Sequence, residues 1–105
     1  MDLVWSPEAV DDLNAAADYI EFELAITLAA KRHVESVIEK AELFADTPGA
    51  GMALRTARGI DTGYRYLLCG NWMVFLEHRQ DRAIVVRVLY AKSNYMKTLF
   101  GEVGN

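Results

Sequence analysis

Apolar and polar positions change their spacing once along the chain, near residue 50. Before it, Val10, Leu13, Ala17, Ile20 and Leu24 recur at three- and four-residue steps, which predicts a helix over residues 7–24. Ser6-Pro7-Glu8 reads as its start, because serine caps free N–H groups and proline is tolerated at the first helical position. Acids at 8, 11 and 12 suit the positive end of the helix dipole. Asp11, Asp12, Asp18 and Glu21 fall largely off the stripe and read as a solvated face. After a break near residues 25–27, Ala30, Val34, Val37, Ile38, Ala41, Phe44 and Ala45 form a second stripe. Asp46-Thr47-Pro48-Gly49-Ala50-Gly51 breaks it. Two amphipathic helices with so short a link predict an antiparallel hairpin.

Beyond residue 50 the period falls to two. Residues 64–69 and 72–77, split by Gly70-Asn71, predict a β-hairpin, and residues 83–90 a third strand. Residues 3–5 and a stretch near 53–56 are compatible with two short strands. Strict alternation within Val85-Val86-Arg87-Val88-Leu89-Tyr90 places Arg87 opposite Val86, Val88 and Tyr90. The order β-α-α-β-β-β is an α+β fold, with the helix hairpin packed on one face of a small antiparallel sheet. Tyr95, Met96, Leu99 and Phe100 suggest a short final helix. These four either stay exposed as a contact surface or pack back onto the sheet.

Composition narrows the class. The chain has 105 residues, 52% hydrophobic and 25% charged, which fits one domain over residues 1–105 with its own core. No apolar run approaches the ~20 residues needed to span a bilayer, so no membrane role is expected. The first five residues lack the basic head and apolar core of a signal peptide. The single Cys69 excludes an internal disulfide and fits a reducing cytoplasm. The net charge of −4 hides a split. Residues 1–46 carry eleven acids and three bases, whereas residues 47–105 carry eight bases and four acids. The second half is the one suited to meet an acidic partner, although the charges alone also fit solvated faces.

Several chemistries drop out. His33 and His78 stand in no metal-ligand spacing with Cys69 or a close acid pair, and no metal or cofactor is expected. His33 reads as a helix-surface residue, His78 as a strand-end residue and Cys69 as a small buried side chain. Gly49-Ala50-Gly51 lacks the strand, third glycine and helix of a dinucleotide loop. What remains is a basic set, Arg55, Arg58, Arg65, Arg87, Lys92 and Lys97, interleaved with Tyr64, Tyr66, Tyr90 and Tyr95. If the hairpin covers one sheet face, the other forms a basic groove edged by aromatics, able to bind phosphates and stack bases or peptide side chains. The same residues also suit cross-strand pairing and packing alone.

The ordered set of motifs resembles the RelE/ParE-type toxins of bacterial type II toxin–antitoxin modules. The resemblance rests on Val4-Trp5-Ser6-Pro7-Glu8-Ala9 with Asp12-Leu13, on Asp18-Tyr19-Ile20, and on the helix exit Leu43-Phe44-Ala45-Asp46-Thr47-Pro48-Gly49-Ala50-Gly51. Gly63-Tyr64-Arg65-Tyr66-Leu67, Gly70-Asn71-Trp72-Met73-Val74-Phe75, Val86-Arg87-Val88-Leu89-Tyr90-Ala91, Asn94-Tyr95 and Leu99-Phe100 continue it along nearly the whole chain. It implies a small cytoplasmic toxin neutralised by a cognate antitoxin. One branch cuts messenger RNA on the ribosome without a metal; the other poisons DNA gyrase and is no nuclease.

Residue by residue, the resemblance favours the second branch. Arg65, Lys92 and Tyr95 match positions of the ribonuclease set, with Tyr95 as acid or base. Leu67 and Met73 stand where two further cations are expected, and Ser93 where a second arginine is common. Each missing cation removes roughly 2–4 kcal/mol of transition-state stabilisation. The sequence pI of about 5.1 also departs from the basic character expected of an RNA-binding protein. The expectation is a ParE-like, non-enzymatic gyrase inhibitor. Arg58, Arg87, Tyr90, Tyr95, Met96, Leu99 and Phe100 are then the candidate partner-binding residues. A ribosome-dependent messenger ribonuclease and a non-toxic partner-binding module are the alternatives.

Overall fold

Ser6 stands where the sequence places a helix start, and it ties together the first three elements of the chain. In the computed structural model, which describes residues 2–23, 27–47 and 49–101, strand β1 (Asp2–Trp5) leads through Ser6 into helix α1 (Pro7–Asp18). The Ser6 hydroxyl accepts the Ala9 N–H at 3.0 Å, capping the helix, and donates to the Val86 carbonyl at 2.7 Å. Val86 belongs to strand β5 (Arg82–Tyr90), which pairs in parallel with β1 through Asp2↔Arg82 to Trp5↔Val85.

Helix α1 is shorter than the apolar spacing predicts. It gives way to a π-helical turn, Tyr19–Glu23, and helix α2 runs over Thr27–Asp46. Leu24, Ala25 and Ile26, at the predicted helix end and break, lie outside the described residues. The buried face of α1 is Ala9, Leu13 and Ala16, one position round from the predicted stripe, and Val10 is exposed. Two alanines in the contact let α1 lie close against β5, which the larger Val10 side chain would prevent. Helix α2 buries Ala30, Val37, Ala41, Phe44 and Ala45 as expected, while Ile38 stays on the outer side.

The second half forms β2 (Met52–Arg55), β3 (Asp61–Cys69), β4 (Trp72–Arg79), β5 and a final helix, α3 (Tyr95–Phe100). The sheet order is β1-β5-β4-β3-β2, antiparallel except for the β1–β5 pair. The helix hairpin covers one face over Val74, Leu76, Val85 and Val88. The opposite face is covered too: Leu54, Met73 and Phe75 are buried there beneath Tyr95, Met96 and Leu99 of α3. Both faces of β4 are therefore dry, which explains its continuous apolar run.

One irregularity shapes the rest. The β4–β5 register slips between Phe75 and Leu76, so that Val85 faces Leu76 and Arg87 faces Phe75, with Val86 as an extra residue. This β-bulge breaks the predicted alternation and puts Val86 and Arg87 on the same side of the strand. Arg87 then reaches round the strand edge to Asp12 on α1, with Nε–Oδ2 at 2.7 Å and Nη2–Oδ1 at 2.9 Å. Asp12 is thus no member of a solvated acidic face.

Candidate functional site

The strand edge beside that ion pair is the floor of a groove of about 370 Å³ between α1 and α3. Strand β1 is only four residues long and leaves β5 uncovered beyond Val85. The groove is lined by the Asp12–Arg87 pair, by Ala15 and Ala16 of α1, by Tyr19, Trp72 and Tyr90, and by Thr98 of α3. Trp72 and Tyr90 meet edge to face with centroids 5.4 Å apart. The Asp12 carboxylate also accepts the Val88 N–H at 3.0 Å, so three hydrogen bonds hold it. The Asp12 hydrogen bond holds the Arg87 pKa above the ordinary arginine value against the opposing effect of burial. Side chains here are only 25% and 13% exposed, so the pair is a fixed strut.

The predicted basic set does not come together. Arg65 turns its guanidinium onto the loop after α2: Nε donates to Ala50 O at 3.2 Å, and Nη2 to Gly49 O at 3.2 Å and Gly51 O at 2.8 Å. Gly51 has a φ of +81°, and a Cβ there would lie 2.9 Å from the Tyr66 carbonyl oxygen, so the loop can approach β3 only with glycine. Arg55 donates to the Gly59 carbonyl, closing the β2–β3 turn on which Arg58 is exposed. Lys92 is exposed on the turn after β5.

The aromatic members divide between packing and exposure. Tyr95 lies 5.4 Å from Phe75 between ring centroids, and Met96 and Leu99 are half-buried beside it. Phe100 is exposed but stacked on Tyr64, with centroids 5.4 Å apart. The second sheet face is therefore a small core under α3, and the open basic groove expected there is absent. Among the described residues no hydrogen bond or ion pair links Arg65, Lys92 and Tyr95.

Other candidates resolve as packing. Cys69 is buried, with Sγ 3.1 Å from Ser36 Oγ, and His78 stacks on Phe44 at 4.4 Å. His33 differs from the surface reading: it tilts against Trp72 at 5.4 Å, its Nε2 is buried without a partner among the described residues, and burial lowers its pKa below 6.5. Among the described residues no three His, Cys, Asp or Glu side chains are grouped to hold a metal, and no helix is long and apolar enough to cross a membrane. Asp12, Tyr19 and Trp72 belong to the groove but not to the predicted site. The available signal was Asp12, an acid six residues after a capping serine and facing an arginine in an otherwise apolar strand.

Comparison with known proteins gives three results. The family model for the ParE toxin of the type II toxin–antitoxin system, parDE, matches residues 3–95. No curated protein sequence matches the chain. Among solved structures, a chain of the chromosomal ParDE TA system from P. aeruginosa superposes with a TM-score of 0.72 at 18% identity, covering 88% of this chain and 97% of that one. At that identity the likeness speaks to the fold.

Proposed function

Because the chain belongs to the ParE toxin family of type II toxin–antitoxin systems, we propose that it is a cytoplasmic, non-enzymatic inhibitor of DNA gyrase, held silent by a cognate antitoxin. The observation that carries the choice of target is the state of the cation set. Arg65 is engaged with three loop carbonyls. Met73, at a second expected cation position, is buried under α3, and Leu67, at a third, packs against the core beneath the hairpin. Metal-free RNA cleavage needs cations at the developing phosphorane together with a proton donor and acceptor. The arrangement supports a surface that binds protein instead. Tyr90, with Arg58 and Phe100 exposed at other points of the surface, supplies contact residues for gyrase or antitoxin in this reading.

Pulse-labelling of DNA and protein synthesis within minutes of inducing the chain alone tests it. DNA synthesis falls first and translation later; an early fall in translation overturns the gyrase reading in favour of ribosomal messenger cleavage. Arg65→Ala adds a second check. It loosens the loop and lowers stability by about 1–2 kcal/mol, the net worth of its hydrogen bonds to carbonyls, yet growth arrest persists. A stably folded Arg65→Ala protein that no longer arrests growth restores Arg65 as a catalytic residue.

A further inference from the structure

Strand β2 is the edge of the sheet farthest from β1, and what it leaves open is short and evenly spaced. The Thr56 N–H donates to the Ile60 carbonyl at 2.9 Å, the Leu54 carbonyl accepts the Thr62 hydroxyl at 2.7 Å, and Met52 pairs with Tyr66. Residues 52, 54 and 56 therefore turn their backbone groups toward β3, and by alternation Ala53 and Arg55 turn theirs outward. The outward N–H and C=O groups of Ala53 and Arg55 take no partner among the described residues. Both ends of this open stretch are closed. Arg65 Nη2 holds the Gly51 carbonyl at 2.8 Å, and beyond Arg55 the Gly59 N–H donates to the Thr56 carbonyl to close a turn.

Such an edge matches itself in one way. Two identical edges related by a two-fold axis along the strands would set N–H against N–H, so a closed pair is antiparallel. The groups on offer then decide the register. Ala53 opposite Ala53 leaves Arg55 facing Gly51, whose carbonyl is taken. Arg55 opposite Arg55 sets two cations side by side and leaves Ala53 facing Ala57, in the turn. Leu54 opposite Leu54 pairs Ala53 of each copy with Arg55 of the other, and every open group of both copies is bonded.

We propose that two copies of this chain associate through β2 in that register, joining two five-stranded sheets into one. Side chains agree with it. Met52, 60% exposed, shares a face with Leu54 and comes against Thr56 and Leu54 of the other copy. Each Arg55 comes opposite a small Ala53. The Met52 end of the edge follows Asp46, exposed at the close of α2, whereas Arg55 and Arg58 are exposed at the other end. Antiparallel pairing brings the acidic end of each copy to the basic end of the other. The contact is small, which makes the dimer weak and concentration-dependent. It does not depend on which target the toxin inhibits, and it lies on the opposite side of the sheet from the groove beside β5.

Sedimentation and residue-resolved amide exchange on the purified full chain, from about 10 μM to about 1 mM, test this. The chain passes from monomer to dimer by mass action. The Ala53 and Arg55 amides slow by about fivefold or more as it does so, while the Leu54 amide, turned toward β3, changes little. Ala53→Pro removes an outward N–H at an edge, where proline is tolerated. Met52→Lys instead sets a cation beside Arg55 and Arg58 of the other copy. Each raises the dissociation constant about tenfold or more and leaves the melting temperature of the dilute chain unchanged. A chain still monomeric at the highest concentration overturns the proposal, as does a dimer whose Ala53 and Arg55 amides exchange at the monomer rate. Protection of those amides by the purified antitoxin, with none from concentration, assigns the edge to the antitoxin and overturns it too.

Discussion

Asp12 is the side chain on which the most structure converges. Its carboxylate holds Arg87 in a two-pronged pair and closes the Val88 N–H at the β5 edge. Asp12→Ala leaves an arginine and an N–H in a half-buried place without their acceptor. We expect equilibrium denaturation to show a loss of about 2–3 kcal/mol, with Asp12→Asn losing less because its oxygen still accepts the N–H. A loss below 0.5 kcal/mol, the scale of ordinary surface changes, contradicts the strut. His33 offers a pH readout. Burial lowers its folded pKa below the unfolded value of 6.5, so between the two the unfolded chain binds more protons. Stability therefore falls as pH drops from 6.5 through the folded pKa and levels off below it. Thermal melts across that window show the slope in the native protein, and His33→Gln flattens it; an unchanged slope in the variant rules His33 out as its source.

Among the described α-helices, α3 is the shortest, and its Tyr95, Met96 and Leu99 pack over Leu54, Met73 and Phe75. Removing residues 93–105 uncovers Leu54, Met73 and Phe75 and deletes the side chains above them. At roughly 1.5–3 kcal/mol for each of these three side chains returned to water, the loss is about 5–9 kcal/mol, comparable with the whole stability of a small domain. The truncated chain should lose its cooperative melt and bind a hydrophobic dye, whereas an unaltered melt means the face under α3 is not part of the core. The helices and strands of this fold were legible because spacing alone marks them, 3.6 against 2, with Pro7, Gly51 and Gly70 as punctuation. The bulge at Val86 was not, because the extra residue is a valine and carries no glycine signal. The rotated face of α1 was hidden for a related reason: two alanines look weaker than Val10 until the helix has a sheet to approach. Since Arg87 and Asp12 meet only through that bulge and that rotation, the groove could not be read from the chain.

At the scale of the molecule, the charge split along the sequence becomes a split in space. Glu8, Asp11, Asp18, Glu35, Glu39, Glu42 and Asp46 are exposed on the helix layer, while Arg55, Arg58, Arg79, Arg82 and Lys92 are exposed on the sheet and its turns. A charged partner therefore meets two unlike sides, and its approach is oriented before contact. The π-helical turn adds an apolar end to the helix layer, where Tyr19 is 53% and Phe22 74% exposed.

The first described strand also waits for the last. β1 pairs with β5, and the Ser6 and Asp12 bonds to that strand span 80 and 76 residues of chain. At synthesis rates of about 5–20 residues per second, the N-terminal segment spends on the order of ten seconds without its ladder. Contacts of such long range also set the folding rate, because the loop must close before they form. A growing chain cannot own a finished groove, an ion-paired floor or a covered second face until β5 and α3 have left the ribosome. Closure of the groove is thus tied by the connectivity to the emergence of β5 and α3.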